Sequence, residues 1–265
     1  LEVTTAARAV AAGAPAIRVR HHLVRDLAMC CGGWMELVIA PAAPARAALA
    51  AAIAAIAGRT PVVLTTALAD GAMAIAPAPA APERGARVDG DHLREWVGGR
   101  ERAIVFGAGH VGRTLAPLLA SVGFEVIVCD DDDTGALTTA VVGAARVIDS
   151  FDVDQVAAAL GGLGQDDHVL VVTRDHAVDE RLMLALIPRA LGYLGMIGSR
   201  GKVGRFQKRL AMRGIAPEAW RGVRAPVGLD LGAETPAEIA VAIVAELVAL
   251  RRRGRGAIGG WEPRA

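Results

Sequence analysis

Aromatic residues are scarce in this chain of 265 residues: four Phe, four Trp and one Tyr make up 3% of a sequence that is 53% hydrophobic. The apolar content is therefore mostly Ala, Val, Leu and Ile, a mixture suited to helices and to strands buried on both faces. Cysteine is almost absent. Three Cys, of which Cys30 and Cys31 are adjacent, cannot build a disulfide framework, and the chain reads as a protein of a reducing, cytoplasmic compartment. No stretch reaches the roughly 20 consecutive apolar residues that cross a membrane. The longest, Ala47 to Ala57, is too short, and the apolar run near the C-terminus carries Glu238 and Glu246. No basic segment followed by an apolar one opens the chain, as a secretion signal would. An excess of one charge sign is missing too. Lys+Arg 29 against Asp+Glu 28 leaves +1, which argues against a protein that coats nucleic acid, and the high apolar content excludes disorder.

At roughly 100 to 200 residues per domain, the length accommodates two modest domains. The Pro- and Gly-rich stretch at 77–92 has no periodic apolar pattern and is expected to be an Ala/Pro-rich linker between them. Upstream, residues 1–76 predict a smaller α+β domain. Its helices are expected at Val3 to Ala12 and Ala45 to Ala57, its strands at Met35 to Ile39, Pro61 to Leu68 and Ala72 to Ala76. Asp70-Gly71 suits the tight turn of a hairpin there because both residues tolerate positive φ. Downstream, residues 93–265 alternate short apolar strands with helices. Strands are expected at Arg102 to Phe106, Phe124 to Asp130, Arg146 to Ile148, His168 to Thr173 and Gly192 to Ile197. This alternation marks an α/β fold, a Rossmann-like, doubly wound parallel sheet covered on both faces. Thr235-Pro236-Ala237-Glu238 combines a capping box with Pro in the first turn and predicts a last helix packed on the sheet.

Gly107-Ala108-Gly109-His110-Val111-Gly112 matches G-x-G-x-x-G. The motif gains force from its place: it follows a strand directly, opens a helix, and precedes a second strand that ends in Asp130 about 20 residues on. Gly107 serves the tight turn, Gly109 lets backbone N–H groups approach a pyrophosphate, and Gly112 allows close helix–strand packing. The helix end at His110 and Val111 then offers free N–H groups to the phosphates, and Asp130 is placed to accept from ribose hydroxyls. The four carboxylates of Asp130 to Asp133 disfavour the 2′-phosphate of NADP and leave NAD or another nucleotide. The bland alternative is a tight turn in a Rossmann fold that binds nothing.

Thr173-Arg174-Asp175-His176-Ala177-Val178-Asp179 stands where the fourth of these strands ends, the edge at which open α/β sheets take ligands. Thr173 or Asp175 can cap the next helix. Asp175 and His176 are candidate acid/base residues, and Ser199 follows the fifth strand at the same edge. Equally, these residues make a capped helix start with an exposed His. From Arg200 to Arg224 eight Arg or Lys face only Glu218, and Lys202, Arg205, Arg209 and Arg213 share a helix face. The stripe suits an anionic ligand or an acidic partner, or is a solvated face. Arg251 to Arg255 read as a terminal cluster that complements the last helix dipole. Cys30-Cys31-Gly32-Gly33 does not fit zinc, since adjacent cysteines chelate one tetrahedral ion poorly and no second pair completes the set. Soft thiolates suit a softer centre such as molybdenum, or sulfur transfer; the alternative is two small buried residues before a strand.

Taken in order, several stretches resemble one family, the xanthine dehydrogenase accessory (XdhC/CoxI) proteins. They are Cys30 to Gly33, Phe106 to Gly112, Thr173 to Asp179, Leu194 to Arg200, and Pro226-Val227-Gly228-Leu229 with Glu234 to Ala240. The resemblance implies a homodimeric chaperone that binds the molybdenum cofactor (molybdopterin), supports its sulfuration with a cysteine desulfurase and inserts it into a xanthine dehydrogenase-type apoenzyme. It implies that Cys30 and Cys31 hold the cofactor and that Gly107, Gly109 and Gly112 hold a phosphate. Family members carry further Gly-rich stretches at the front. Leu1-Glu2 resembles the residues just after them, so the N-terminal domain is expected to be partial. Two other functions compete: an NAD-dependent oxidoreductase of a small molecule, and a partner-docking scaffold with a vestigial Rossmann domain.

Overall fold

The antiparallel element expected around Asp70-Gly71 forms, and it extends further than its local pattern shows. The computed structural model describes residues 2–30, 32–78, 85–99, 101–131, 137 and 139–254. They divide into two units between Arg100 and Glu101. In the first, α1 (Glu2–Ala11) precedes a hairpin of β1 (Ile17–His22) and β2 (Trp34–Ile39). Helix α2 (Ala42–Ala57) then leads into β3 (Val62–Ala67), β4 (Met73–Pro77), β5 (Ala86–Asp89) and β6 (His92–Val97), a four-stranded antiparallel sheet ordered β4-β3-β6-β5.

Two expectations are corrected here. The stretch 77–92 is not simply a linker, because β5 and the start of β6 lie within it, and the unit boundary falls near residue 100 instead of at 92. Strand β6, His-Leu-Arg-Glu-Trp-Val, has no regular polar–apolar alternation to announce it. It pairs with β3 over Val62↔Val97 to Ala67↔His92, a contact across some thirty residues that local composition does not record. Strand β1 was also unexpected. Its outward residues Arg18, Arg20 and His22 mask the period of a strand whose inward residues Val19 and His21 are buried. Residues 79–84 of the expected linker lie outside the described residues.

The second unit holds β7 (Arg102–Phe106), α3 (His110–Ser121), β8 (Glu125–Asp130), β9 (Arg146–Asp149), α4 (Val153–Ala159), β10 (Asp167–Val171), α5 (His176–Leu186), β11 (Tyr193–Met196), α6 (Arg200–Met212), a 3-10 turn at Pro217–Gly222, β12 (Val223–Arg224) and α7 (Pro236–Arg253). All pairings are parallel, and the order is β12-β11-β10-β7-β8-β9. In chain order this is the 3-2-1-4-5-6 arrangement of dinucleotide-binding sheets, whose direction reverses between the first and fourth strands. Strand residues alternate between two cores. Ile104, Phe106, Ile127 and Val171 meet α4, α5 and α6; Val105, Val126, Val128 and Leu170 meet α3 and α7. Each central strand is therefore apolar on both faces, which explains its unbroken hydrophobic run.

Helix α7 is bound to the sheet by more than its apolar stripe. Glu246, fully buried, accepts from the Tyr193 hydroxyl and, at its other oxygen, from Arg224 (2.7 Å). Burial, with the neighbouring Glu246 charge second, pushes the Tyr193 phenol well above its ordinary range, so it stays a proton donor. Arg251 is more than part of a terminal cluster: it pairs with the buried Glu101, donates to the Val122 carbonyl (2.6 Å) and lies 4.1 Å over the Phe124 ring; Arg255 of that cluster is outside the described residues. Arg251→Met is expected to cost about 1–3 kcal/mol, read as a lower urea midpoint with an unchanged slope.

At the start of α7 the capping box forms as expected: Thr235 accepts from the Glu238 N–H, and Glu238 accepts from the Thr235 and Glu234 N–H groups at 2.9 Å. These backbone donors hold the Glu238 carboxyl below its ordinary range. A depressed folded value means stabilisation that is complete above the unfolded value and lost as pH falls through the folded one. The melting-temperature gap between wild type and Glu238→Ala is therefore expected to be widest near neutrality and to close in acid.

Candidate functional site

Reversal of strand order between β7 and β10 leaves a crevice at their carboxyl ends, because the segments that follow the two strands turn to opposite faces. A cleft of about 770 Å³ opens there, and Gly107, Gly109, Asp130, Thr173 and Asp175 are among the residues that line it. The glycine loop is folded tightly. Gly107 has φ +119°, and a Cβ on it would meet the Val172 carbonyl at 2.8 Å. A Cβ on Gly112 would lie 1.8 Å from the Gly107 carbonyl oxygen, whereas one on Gly109 would meet no protein atom within 4 Å. The roles expected for the first and third glycines thus have a direct steric counterpart, and Gly109 presents bare backbone to open space.

Helix α3 differs from its neighbours in how it begins. Side chains cap α4 through Asp152, α5 through Asp175, α6 through Ser199 and α7 through Thr235. No side chain caps α3 at Gly109, and its first turn carries no acid. The N–H groups of its first turn, at His110 and Val111, are left without intrahelical acceptors beside the cleft. One carboxylate oxygen of the buried Asp130 accepts from the Ala108 N–H. Asp130 therefore braces the glycine loop as well as lining the cleft. Of the acidic run, Asp131 also lines it, and Asp132 and Asp133 lie outside the described residues.

The Thr173 to Asp179 segment is held by a network that sequence spacing did not show. Thr173 Oγ1 donates to Asp179 Oδ1 (2.6 Å), and Lys202 Nζ donates to Asp179 Oδ2 (2.9 Å) and lies 3.5 Å from the Ile197 carbonyl. Asp179 is fully buried and Lys202 nearly so. The pair therefore ties the end of β10 to the end of β11, both of which reach the cleft. Asp175 lines the cleft, but its carboxylate caps α5 by accepting from the Ala177 N–H (2.7 Å). His176 does not line it: its ring is 66% exposed, with Nδ1 3.9 Å from Asp179.

Ser199 is likewise elsewhere. It caps α6 and lines a second cavity of about 620 Å³ with Arg224, Pro226 and the Gly228 loop, which shares Ile197 with the cleft. The expected convergence of the Thr173 and Ser199 loops on one crevice is thus replaced by two adjoining cavities. The basic stripe is largely internal in its pairing: Lys202 meets Asp179, and Arg209 and Arg213 meet Glu180. Cleft residues that sequence reasoning passed over are Arg113, Phe151, Arg174, Arg181 and Pro236. Of these, Arg174 stood inside the Thr173 to Asp179 motif and Pro236 inside the capping box that opens α7, and neither was read as a cleft residue.

Cys30 belongs to the first unit, exposed on the loop between β1 and β2, and Cys31 lies outside the described residues. Cys129 is buried in β8, and burial pushes its thiol up to about 12, which makes it inert. Among the described residues no cluster of His, Cys, Asp or Glu is arranged to hold a metal ion, and no helix is long and apolar enough to cross a membrane.

Residues 103–247 match the family model described as the XdhC Rossmann domain. Over 161 residues the chain is 31% identical to the uncharacterized protein YqeB of Escherichia coli (strain K12), covering 61% of this chain and 29% of that one. Over 154 residues it is 34% identical to a probable xanthine dehydrogenase subunit of Bacillus subtilis (strain 168), covering 58% of this chain and 44% of that one. The matches thus span less than half the length of either relative. The crystal structure of a xanthine dehydrogenase from Bacillus halodurans shares the fold, with a TM-score of 0.72 at 21% identity over 96% of this chain and 80% of that one. With more than half of its length inside the family model, the chain belongs to the family of the XdhC Rossmann domain.

Proposed function

We propose that the chain is an accessory protein of a xanthine dehydrogenase-type molybdenum hydroxylase, with a nucleotide bound by its Rossmann unit and the molybdenum cofactor handled by its first unit. The observation that carries the nucleotide reading is the uncapped start of α3 beside bare Gly109, whereas the other four α-helices among the described residues of this unit are all capped by side chains. Unsatisfied N–H groups and the positive dipole end favour a phosphate there. Asp130, at the end of β8, is the residue for the ribose hydroxyls, which favours NAD or another nucleotide without a 2′-phosphate. The accessory role draws on the family and on the name of the Bacillus subtilis relative. Cys30 and Cys31 would hold the cofactor by soft thiolate ligation. A cysteine desulfurase as sulfur donor, the apoenzyme as recipient, and dimerisation complete the proposal.

The oxidoreductase reading has weaker support, since Asp175 is engaged as a helix cap and His176 lies off the cleft. The scaffold reading loses its basic stripe to Asp179 and Glu180. Purified protein is expected to retain the molybdenum cofactor through gel filtration, and to lose most of it when Cys30 and Cys31 are both Ala; equal retention removes the cysteine role. Calorimetry with NAD, ATP, GTP and CTP is expected to show saturable binding of at least one, and silence with all four at millimolar concentration defeats the nucleotide reading.

A further inference from the structure

The outward face of β1 carries Arg18, Arg20 and His22, opposite Val38, Glu36 and Trp34 of β2. Arg20 stands directly across from Glu36, yet Glu36 accepts its hydrogen bond from Arg18, which is the main cause holding the Glu36 carboxyl below its ordinary range, with the Arg20 charge a smaller one. Arg20 instead places its guanidinium carbon 4.4 Å from the centroid of the Trp34 ring, and Arg25, from the connecting loop, comes within 5.5 Å of the same ring. His22 packs edge-on against Trp34 at 4.9 Å.

The loop backbone fixes this arrangement. Leu23 N–H donates to the Gly33 carbonyl (3.0 Å) and Met29 N–H to the Leu23 carbonyl (2.9 Å). The loop's carboxylate, Asp26, accepts from the His22 N–H (2.6 Å). Among the described residues, neither Arg20 nor Arg25 hydrogen-bonds a carboxylate. Two guanidinium groups are thus gathered on one indole that is itself 52% exposed. A guanidinium stacked on an aromatic face keeps its N–H donors at its edge, in the fork that matches oxyanions.

We infer that Arg20, Trp34 and Arg25 form a clamp for a phosphomonoester, on the same loop as Cys30. Two forks around one ring suit a compact tetrahedral dianion, and the exposed thiol a few residues on suits a soft centre. A ligand bearing both groups fits this loop, and the molybdenum cofactor, a pterin phosphomonoester with a soft metal centre, is such a ligand. In that identification the inference rests on the cofactor reading above; the phosphate clamp itself does not.

The indole N–H resonance of Trp34, assigned by its loss in Trp34→Phe, isolates this site, because among the described residues no Trp lines the glycine-loop cleft. Titration of the whole protein with inorganic phosphate is expected to shift this resonance saturably. Arg20→Gln/Arg25→Gln is expected to weaken the response about tenfold or more, with an unchanged circular dichroism spectrum. Arg20→Lys/Arg25→Lys, which keeps the charge and removes the fork, is expected to lose most of it as well. No shift in wild type, or a full response in either double variant, overturns the clamp. Gel filtration with the molybdenum cofactor separates the two claims. If wild type retains none, the cofactor reading fails and the phosphate titration still decides the clamp; if wild type and Arg20→Gln/Arg25→Gln retain it equally, the clamp has no part in cofactor binding and the cofactor reading stands.

Discussion

Replacing Gly112 by Ala is expected to destabilise the Rossmann unit by about 4 kcal/mol or more, while Ala at Gly109 leaves the fold intact and weakens nucleotide binding about tenfold or more. The two glycines stand three residues apart in one motif, and their surroundings are opposite. A Cβ at Gly112 would sit 1.8 Å from the Gly107 carbonyl oxygen, which is backbone and cannot swing aside, so either α3 moves off β7 or the loop opens. Gly109 has φ −72°, open to any residue, and nothing within 4 Å of its added Cβ. Ala is a poorer helix cap than Gly, a loss of up to about 1 kcal/mol, so the melting temperature is expected to fall by no more than roughly 2–4 °C. The added methyl would instead occupy the space through which a pyrophosphate approaches the backbone. Thermal melting and nucleotide calorimetry on both variants give the check. A folded Gly109→Ala protein with wild-type nucleotide affinity would show that the phosphates bind elsewhere.

Lys202→Met is expected to cost about 3–5 kcal/mol, more than Asp179→Leu, although the two residues form one ion pair. Asp179 is fully buried, so without the ammonium its carboxylate keeps the Thr173 hydroxyl as its close donor and cannot reach water. Lys202, whose side chain is 13% exposed, has a long stem that can carry its charge to the surface when Asp179 is removed. Replacing both together by Asp179→Leu/Lys202→Met exchanges a buried ion pair for apolar contact and is expected to recover much of the loss. Urea unfolding of the four proteins completes the cycle; equal costs for the single variants, or additive costs in the double, would show that the pair is not coupled as its 2.9 Å geometry implies. Because the pair ties Thr173 to the Ile197 carbonyl, Lys202→Met is also expected to loosen the cleft wall and raise the dissociation constant of any nucleotide that binds.

Much of the second unit was legible because its signals are local. Val105 and Val128 show their strands by apolar continuity, and the glycine loop shows the turn between strand and helix through residues that tolerate no side chain at Gly107 and Gly112. Thr235 and Glu238 announce the start of α7 for the same reason, since a capping box closes within four residues. What escaped was long in sequence. The β3–β6 pairing joins residues 62–67 to 92–97, and although Asp70-Gly71 and Asp89-Gly90 mark turns in the stretch between them, neither says which strand β6 takes as its partner. The basic stripe read from Lys202 to Arg213 gave its charges but not the Asp179 and Glu180 that meet them from α5. Thr173 and Ser199, both at strand ends, were expected to share one crevice and line two.

Residue order alone was enough to establish the α/β class, the glycine loop and its acid at Asp130, and the XdhC family to which the chain belongs. The class and the loop rest on patterns that repeat or close within a few residues, strand and helix periods and a tight glycine turn. The acid and the family rest on the order and spacing of such short motifs along the chain. It took the closed fold to establish that α3 starts without a side-chain cap beside a cleft, that Asp179 is buried against Lys202, and that Arg20 and Arg25 meet on Trp34. Those depend on which distant partner takes each charge when the sheets close, as Arg18 takes Glu36 and leaves Arg20 to the indole. Burial and partner choice are properties of the packed molecule, and composition cannot state them in advance.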